Sequence, residues 1–255
     1  MTANTQPVAL VTGGARRIGA AITRDLAAHG FPVAIHCNSS REEADALADE
    51  IGGGGGTAHV IQADLTDPGA LPGLIAGAAE ALGPVQLLVN NASMFEEDSA
   101  LSFDREVWDR HFDVHLKAPV ALIQAMAAAL PEDGEGLAVN MIDQRVWRLT
   151  PRFFSYTLSK SALWTATQTL AQALGPRLRI NAIGPGPTLI NARQRAHDFQ
   201  TQLDSLILGR GPELAEFGAT IRYLWQARSV TGQMIALDGG QHLAWQTPDV
   251  YGVAE

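Results

Sequence analysis

Chemistry is most legible in the run Tyr156-Thr157-Leu158-Ser159-Lys160. A spacing of four puts a phenol and an ammonium on one face of a helix, one turn apart. A free phenol titrates near pH 10, and a neighbouring ammonium favours its ionised form, which makes it a better acid. The pair is therefore read as a proton-delivering unit, with Tyr156 as donor and Lys160 as the group that tunes it. The competing reading is a solvated surface pair. It is weakened by composition, because Lys117 and Lys160 are the only lysines and the chain has just 3 tyrosines.

Asp143 precedes Tyr156 and follows the apolar run Leu137 to Met141. A carboxylate beside an acidic phenol can pass protons to it, although an aspartate there can also simply form a turn. The third group is Thr12-Gly13-Gly14-Ala15-Arg16-Arg17-Ile18-Gly19, between an apolar run and an amphipathic one. Glycines let backbone approach a ligand closely, and the helix that follows offers free amide hydrogens to a pyrophosphate. Alone, such a turn can be no more than a tight connection. Arg17 adds a cation at that turn, suited to phosphates.

These residues need a scaffold that brings them together. Apolar runs with strand character lie at Val8 to Val11, Pro32 to Cys37, Ala58 to Gln62, Val85 to Asn90, Leu137 to Met141, Leu178 to Ile183 and Met234 to Leu237. Between them, apolar residues at three and four spacing mark helices, as over Ile18 to His29, Arg41 to Ile51, Gly69 to Leu82, Phe103 to Leu130 and Ser155 to Leu174. Gly30 with Pro32, Gly83 with Pro84 and Gly175 with Pro176 punctuate helix ends. Pro119 interrupts one helical pattern and predicts a kink or two consecutive helices there. Alternating strands and helices predict an α/β fold, a single Rossmann-type doubly wound parallel sheet of about seven strands with helices on both faces. No linker or repeat splits the chain, so residues 1–255 read as one domain.

In such a sheet, ligands bind outside the carboxyl ends of the strands where strand order reverses. The polar exceptions fall there: the glycine turn, Asn38-Ser39-Ser40, Asp64, Asn91-Ala92-Ser93-Met94-Phe95, Asp143 and Gly184-Pro185-Gly186-Pro187-Thr188. No acidic residue lies between His36 and Ser40, where an NAD-selective site binds the ribose 2′-hydroxyl, so NADPH is the expected cofactor, with Arg17, Ser40 and Arg41 as phosphate partners. Phe95 either packs in the core or stacks on a planar ring. Ser93 either caps a turn or holds a ligand's polar edge.

Composition excludes other classes. Apolar residues make up 46% and charged residues 18% of 255 residues, a globular balance, and no apolar run is long enough to cross a bilayer. A net charge of -9 offers no basic face for nucleic acid or anionic lipid. Cys37 is the only cysteine, which excludes an internal disulfide and fits a reducing compartment. The amino terminus lacks the parts of a secretory signal, so the expected location is cytoplasmic. No metal is called for.

Over nearly its whole length the sequence resembles the short-chain dehydrogenase/reductase family. The likeness rests on the Thr12 to Gly19 turn, Asp64, Asn90-Asn91-Ala92, Tyr156 with Lys160, Asn181 to Gly186, Thr231-Gly232 and Asp238-Gly239-Gly240. Within the family it is most similar to pteridine reductases and bacterial dihydromonapterin reductases. Arg17 replaces the turn's middle glycine, Asn91-Ala92-Ser93 replaces the usual Asn-Ala-Gly, and Asp143 stands where most members carry serine.

The resemblance implies NADPH bound by Gly13, Arg17, Ile18, His36, Asn38, Ser39, Ser40, Asp64, Leu65, Asn91, Ala92, Ser93, Tyr156, Lys160, Pro185, Gly186 and Thr188. It implies a pterin or folate substrate held by Arg17, Ser93, Phe95, Asp143 and Tyr156, with Asp143, Tyr156 and Lys160 catalytic. It also implies a homotetramer or homodimer built on the long central helices. The family's relay asparagine is replaced by His115, which can hold water or be a satisfied core histidine. Trp147, Trp245 and His242 either line the pocket or pack, and the stretch from Leu189 to Leu208 reads as a covering loop without a recognisable code. Two alternatives remain: a carbonyl reductase of 3-oxoacyl thioesters or sugar ketones, and a non-catalytic NADP-binding regulator.

Overall fold

The computed structural model describes residues 6–190 and 194–247. Seven strands, β1 Val8–Val11, β2 Val33–Cys37, β3 Ala58–Gln62, β4 Val85–Asn90, β5 Gly136–Met141, β6 Leu178–Pro185 and β7 Met234–Leu237, form one sheet. Its order is β3-β2-β1-β4-β5-β6-β7, and every pairing is parallel. Strands β1, β2 and β5 are buried along their whole length, which explains their continuous apolar runs: helices cover both faces. The order reverses between β1 and β4, opening a crevice at their carboxyl ends.

One face is covered by α1 Arg17–Ala28, α2 Arg41–Gly53 and α8 Leu214–Gln226, with Ile22, Leu26, Phe217, Ile221 and Leu224 packed in its core. The other is covered by α3 Leu71–Leu82, α5 Ala118–Ala129 and α6 Phe154–Leu174, with Leu74, Ile75, Leu122, Ile123 and Met126 packed beneath them. Among the described residues no helix is long and apolar enough to cross a membrane.

Two expectations change. The Phe103 to Leu130 pattern is α4 Arg105–Phe112, a single π turn over Asp113–Lys117 and then α5, so the break expected at Pro119 is a widened turn just ahead of it. Proline has no N–H to donate to the preceding turn, and a π turn accommodates the missing bond without ending the helix. The Leu189 to Leu208 stretch is not all loop, because it contains α7 Ala196–Asp204. Its apolar spacing is poor since no residue of this helix is buried, which removes the signal periodicity depends on.

Candidate active site

The glycine turn after β1 is held by side chains from three strand ends. The Thr12 hydroxyl accepts the Asn91 and Ala92 N–H groups at 2.9 and 3.0 Å, and Asn91 Nδ2 donates to the Thr12 and Gly13 carbonyls at 2.9 and 3.1 Å. The buried His36 ring accepts the Gly13 N–H on Nδ1 at 3.1 Å, and its Nε2 meets the Ala63 carbonyl at 3.1 Å. A Cβ on Gly19 would collide with the Gly13 carbonyl and the Asn91 amide, so only glycine lets the helix start this close to the turn. Arg17 occupies a left-handed conformation, φ 53°, at the position where the resembling family has glycine, at a cost of roughly 1–3 kcal/mol. Its guanidinium reaches across to the Leu189 and Ile190 carbonyls at 3.2 and 3.1 Å.

The turn opens onto a cleft of about 1370 Å³ that runs along the strand ends past Asp143 and Tyr156. Its size and shape fit a dinucleotide with a second ring system at one end. Every residue named above as a cofactor or substrate ligand lines this cleft except Lys160 and Arg41. Gln194, Asp198, Phe199 and Gln202, in and just before α7, form part of the cover. Arg41 does not line the cleft, because it is bound to Asp45 one turn along α2 at 2.8 Å, and Arg16 stands at the mouth in its place.

Tyr156 and Asp143 meet directly: the phenol donates to Asp143 Oδ2 at 2.9 Å, and the other oxygen accepts the Arg145 N–H at 2.8 Å. Burial pushes the Asp143 carboxyl up from its ordinary value. Burial first, and the Asp143 carboxylate second, push the Tyr156 phenol well above 10. The cation that draws the phenol down against them is Arg145. The Lys160 ammonium donates to the Met141 carbonyl at 2.7 Å and stands 5.8 Å from the Tyr156 ring centroid. Burial pushes it down to about 8. A shared helix face brought the two side chains close, and the lysine stem carries its ammonium to the Met141 carbonyl, from which its charge acts on Asp143.

The Phe95 ring stacks on Phe153 at 4.1 Å and meets the edge of Tyr156 at 4.7 Å. It is therefore part of a wall beside the phenol, with Phe153 covering one of its faces. Phe153, at φ 55°, precedes α6, whose second amide, Ser155 N–H, is capped by both oxygens of the buried Asp98 at 3.1 Å. Asp98, His111, Arg145 and Phe153 escaped the sequence analysis. For His111 a signal existed: His111, at the end of α4, and His115, in the π turn that continues it, are four apart, as are Ser155 and Ser159 on α6, and they pair, His111 Nδ1 with Ser155 at 2.6 Å and His115 Nδ1 with Ser159 at 2.9 Å. For Asp98, Arg145 and Phe153 the sequence holds no comparable spacing.

His115 Nε2 accepts the Met94 N–H at 3.2 Å and meets the Ser93 hydroxyl at 3.0 Å, so its ring is satisfied on both sides. Of the two readings, the satisfied core histidine is the observed one, and Ser93 serves it rather than standing free in the cleft. Trp147 packs edge-on to Trp164 and His242 and does not line the cleft, and His242 is bonded to Asp238 at 2.7 Å. Trp245 is mostly exposed.

Burial lowers His36, His111 and His115 below their ordinary 6.5, His115 most. A group whose folded value is depressed binds fewer protons folded than unfolded, so the stability it supports is present above 6.5 and is lost as pH falls below it. We expect the melting temperature to drop by several degrees between pH 7.5 and 5.5, about 1–2 kcal/mol, and the drop to shrink in His115→Gln. An equal drop in both proteins would remove His115 as the cause.

Residues 7–201 match the family model of short chain dehydrogenases. The FolM alternative dihydrofolate reductase 1 of Brucella canis, solved in complex with NADP, is 63% identical, covers 96% of this chain and 98% of its own, and superposes with a TM-score of 0.94. The L-rhamnose 1-dehydrogenase (NAD(P)(+)) of Azotobacter vinelandii is 36% identical over 91% of this chain and 94% of its own. The 3-oxoacyl acyl-carrier-protein reductase FabG of Staphylococcus epidermidis is 28% identical over 92% and 98%.

Proposed function

The chain belongs to the short-chain dehydrogenase family, and from that membership we propose that it is an NADPH-dependent reductase of pteridines, taking a dihydropterin or dihydrofolate to the tetrahydro form. The observation that carries this reading is the 2.9 Å hydrogen bond from the Tyr156 hydroxyl to the Asp143 carboxylate. A carbonyl reductase needs hydrogen-bond donors on a developing oxyanion, and a carboxylate at this point repels that charge. Reduction of a ring C=N bond instead needs a proton on nitrogen, which a carboxylate-backed phenol can deliver. The 63% identity to a dihydrofolate reductase of the same fold supports the reading.

NADPH supplies hydride from its nicotinamide when bound. The glycine turn, with Gly13, Gly19 and Ile18, offers backbone to its pyrophosphate; Ser39, Ser40 and Arg17 offer partners to the 2′-phosphate; and Asn38, Asp64 and Leu65 flank the adenine end. Pro185, Gly186 and Thr188 flank the nicotinamide end. Tyr156 holds the proton that goes to the substrate nitrogen, and Asp143 orients the phenol and passes it a replacement proton taken up from solvent. Phe95 forms the wall for the planar ring. Lys160, neutral or charged near its value of about 8, fixes the Met141 carbonyl beneath the site. The same reading takes residues 1–255 as one domain, the location as cytoplasmic, and the assembly as a homotetramer or homodimer through α4, α5 and α6.

The test is NADPH oxidation with a panel of dihydropterins set against ketones and 3-oxoacyl thioesters. Turnover of a ketone with none of any dihydropterin would replace this reading by the carbonyl reductase one. Absence of turnover with every substrate, alongside tight NADPH binding, would favour a non-catalytic binder. With no acid between His36 and Ser40 to hold a ribose 2′-hydroxyl, kcat/KM should favour NADPH over NADH by at least about tenfold. Equal efficiencies would defeat that expectation.

A further inference from the structure

Arg145 lies between the Asp143–Tyr156 pair and the stacked phenyl rings. Its backbone N–H donates to Asp143 Oδ1 at 2.8 Å, and its Nε lies 4.0 Å from Oδ2, the oxygen that accepts the Tyr156 hydroxyl. Its guanidinium carbon is 5.3 Å from the Phe95 ring centroid and 4.9 Å from that of Phe153. With only 21% of the side chain exposed, this charge acts through a poorly screening surrounding.

Among the described residues the other cations near the pair have nearer hydrogen-bond or ion-pair partners, and of them Lys160 also acts on Asp143 through its charge. Lys160 donates a hydrogen bond to the Met141 carbonyl, Arg152 is paired with Glu97, and Arg110 is paired with Glu96. His111 and His115 approach the Tyr156 ring at 6.0 and 5.3 Å, and burial favours their neutral forms. Arg145 opposes burial at Asp143 and draws Tyr156 down as well, the tuning role that spacing alone assigns to Lys160.

We propose that Arg145 is a positioning residue of the proton path: resting beside the stacked Phe95 and Phe153 rings, it holds Asp143 in the orientation that accepts the Tyr156 hydroxyl and supplies a counter-charge to that pair. This rests on the reading of Tyr156 as donor and Asp143 as its partner, and does not depend on which dihydropterin is reduced.

Two variants separate charge from packing. Arg145→Met keeps an aliphatic stem against the rings without the charge, and Arg145→Lys restores a charge without the planar fork. In Arg145→Met, kcat should fall on the order of tenfold, both limbs of its pH profile should move up by about 0.5–1 unit, and the NADPH dissociation constant should stay within about twofold. Arg145→Lys should recover most of the shift. The carboxyl carbon of Asp143, assigned by its loss in Asp143→Asn, should titrate higher in Arg145→Met by carbon-13 NMR. An unmoved pH profile and an unmoved carboxyl titration would overturn the proposal, as would equal impairment of both variants without a shift. If the wild type turns over no dihydropterin, the substrate reading fails, and the NMR titration alone still decides the role of Arg145.

Discussion

Tyr156→Phe should lower turnover of the dihydropterin substrate roughly 100-fold to 10,000-fold, the usual cost of losing a positioned proton donor. The phenol is buried, its hydroxyl donates to Asp143 at 2.9 Å, and its ring packs against Phe95. Phenylalanine preserves the ring and its packing, so the fold should survive and NADPH should still bind. What the variant leaves behind is a carboxylate facing an empty donor position. The measurement is single-turnover NADPH oxidation together with a cofactor binding titration. Near wild-type turnover would remove Tyr156 as donor, and lost cofactor binding would mean that the substitution acted on the cleft as a whole.

The second large effect is expected for Asp143→Ser. Serine keeps a hydroxyl beside Tyr156 but withdraws the charge that, after burial, does most to hold the phenol well above 10. Removing a like-signed neighbour stabilises phenolate, so the Tyr156 titration moves down and the alkaline limb of the turnover profile, which needs the protonated phenol, moves to lower pH. Dihydropterin turnover should fall by about 100-fold or more, because the group that orients the donor and returns its proton is gone. NADPH affinity should change little. Weak ketone reduction should appear, since a hydroxyl can donate to an oxyanion where a carboxylate repels it. Unchanged dihydropterin turnover in Asp143→Ser would detach Asp143 from the chemistry.

Lys160 and Arg145 show where reading by spacing ends. The four-residue interval placed Lys160 and Tyr156 on one face of α6, and both are indeed there. Which carbonyl the ammonium reaches is set by the end of β5, from which Met141 presents its oxygen at 2.7 Å. Arg145 sits two residues past Asp143 in a single 3-10 turn, Gln144–Val146, and nothing in its neighbours marks it. Its importance comes from Phe95 and Phe153, which lie far from it in the chain or across a loop and against which its guanidinium rests.

The same division holds for the two histidines and for Asp98. A pair of histidines four apart is ordinary on a helix, and only the packing of α4 and the π turn against α6 turns them into staples to Ser155 and Ser159. Asp98 has no local partner; it caps the amino end of α6 from the connection that follows β4.

By itself the sequence determined the alternation of strands and helices, the parallel sheet, the glycine turn with its cofactor end, and the phenol and carboxylate that meet at the crevice. All of these follow from short-range rules: hydrophobic period, turn residues, and the position of polar groups at the ends of apolar runs. Tertiary structure alone decided which cation faces the Asp143–Tyr156 pair, which ring covers Phe95, how His115 is satisfied, and that a helix covers part of the cleft. Those outcomes depend on where flexible side chains from separate elements end up once the elements have packed. Local periodicity carries no information about that, because the distances are fixed only when the sheet and its helices are in place.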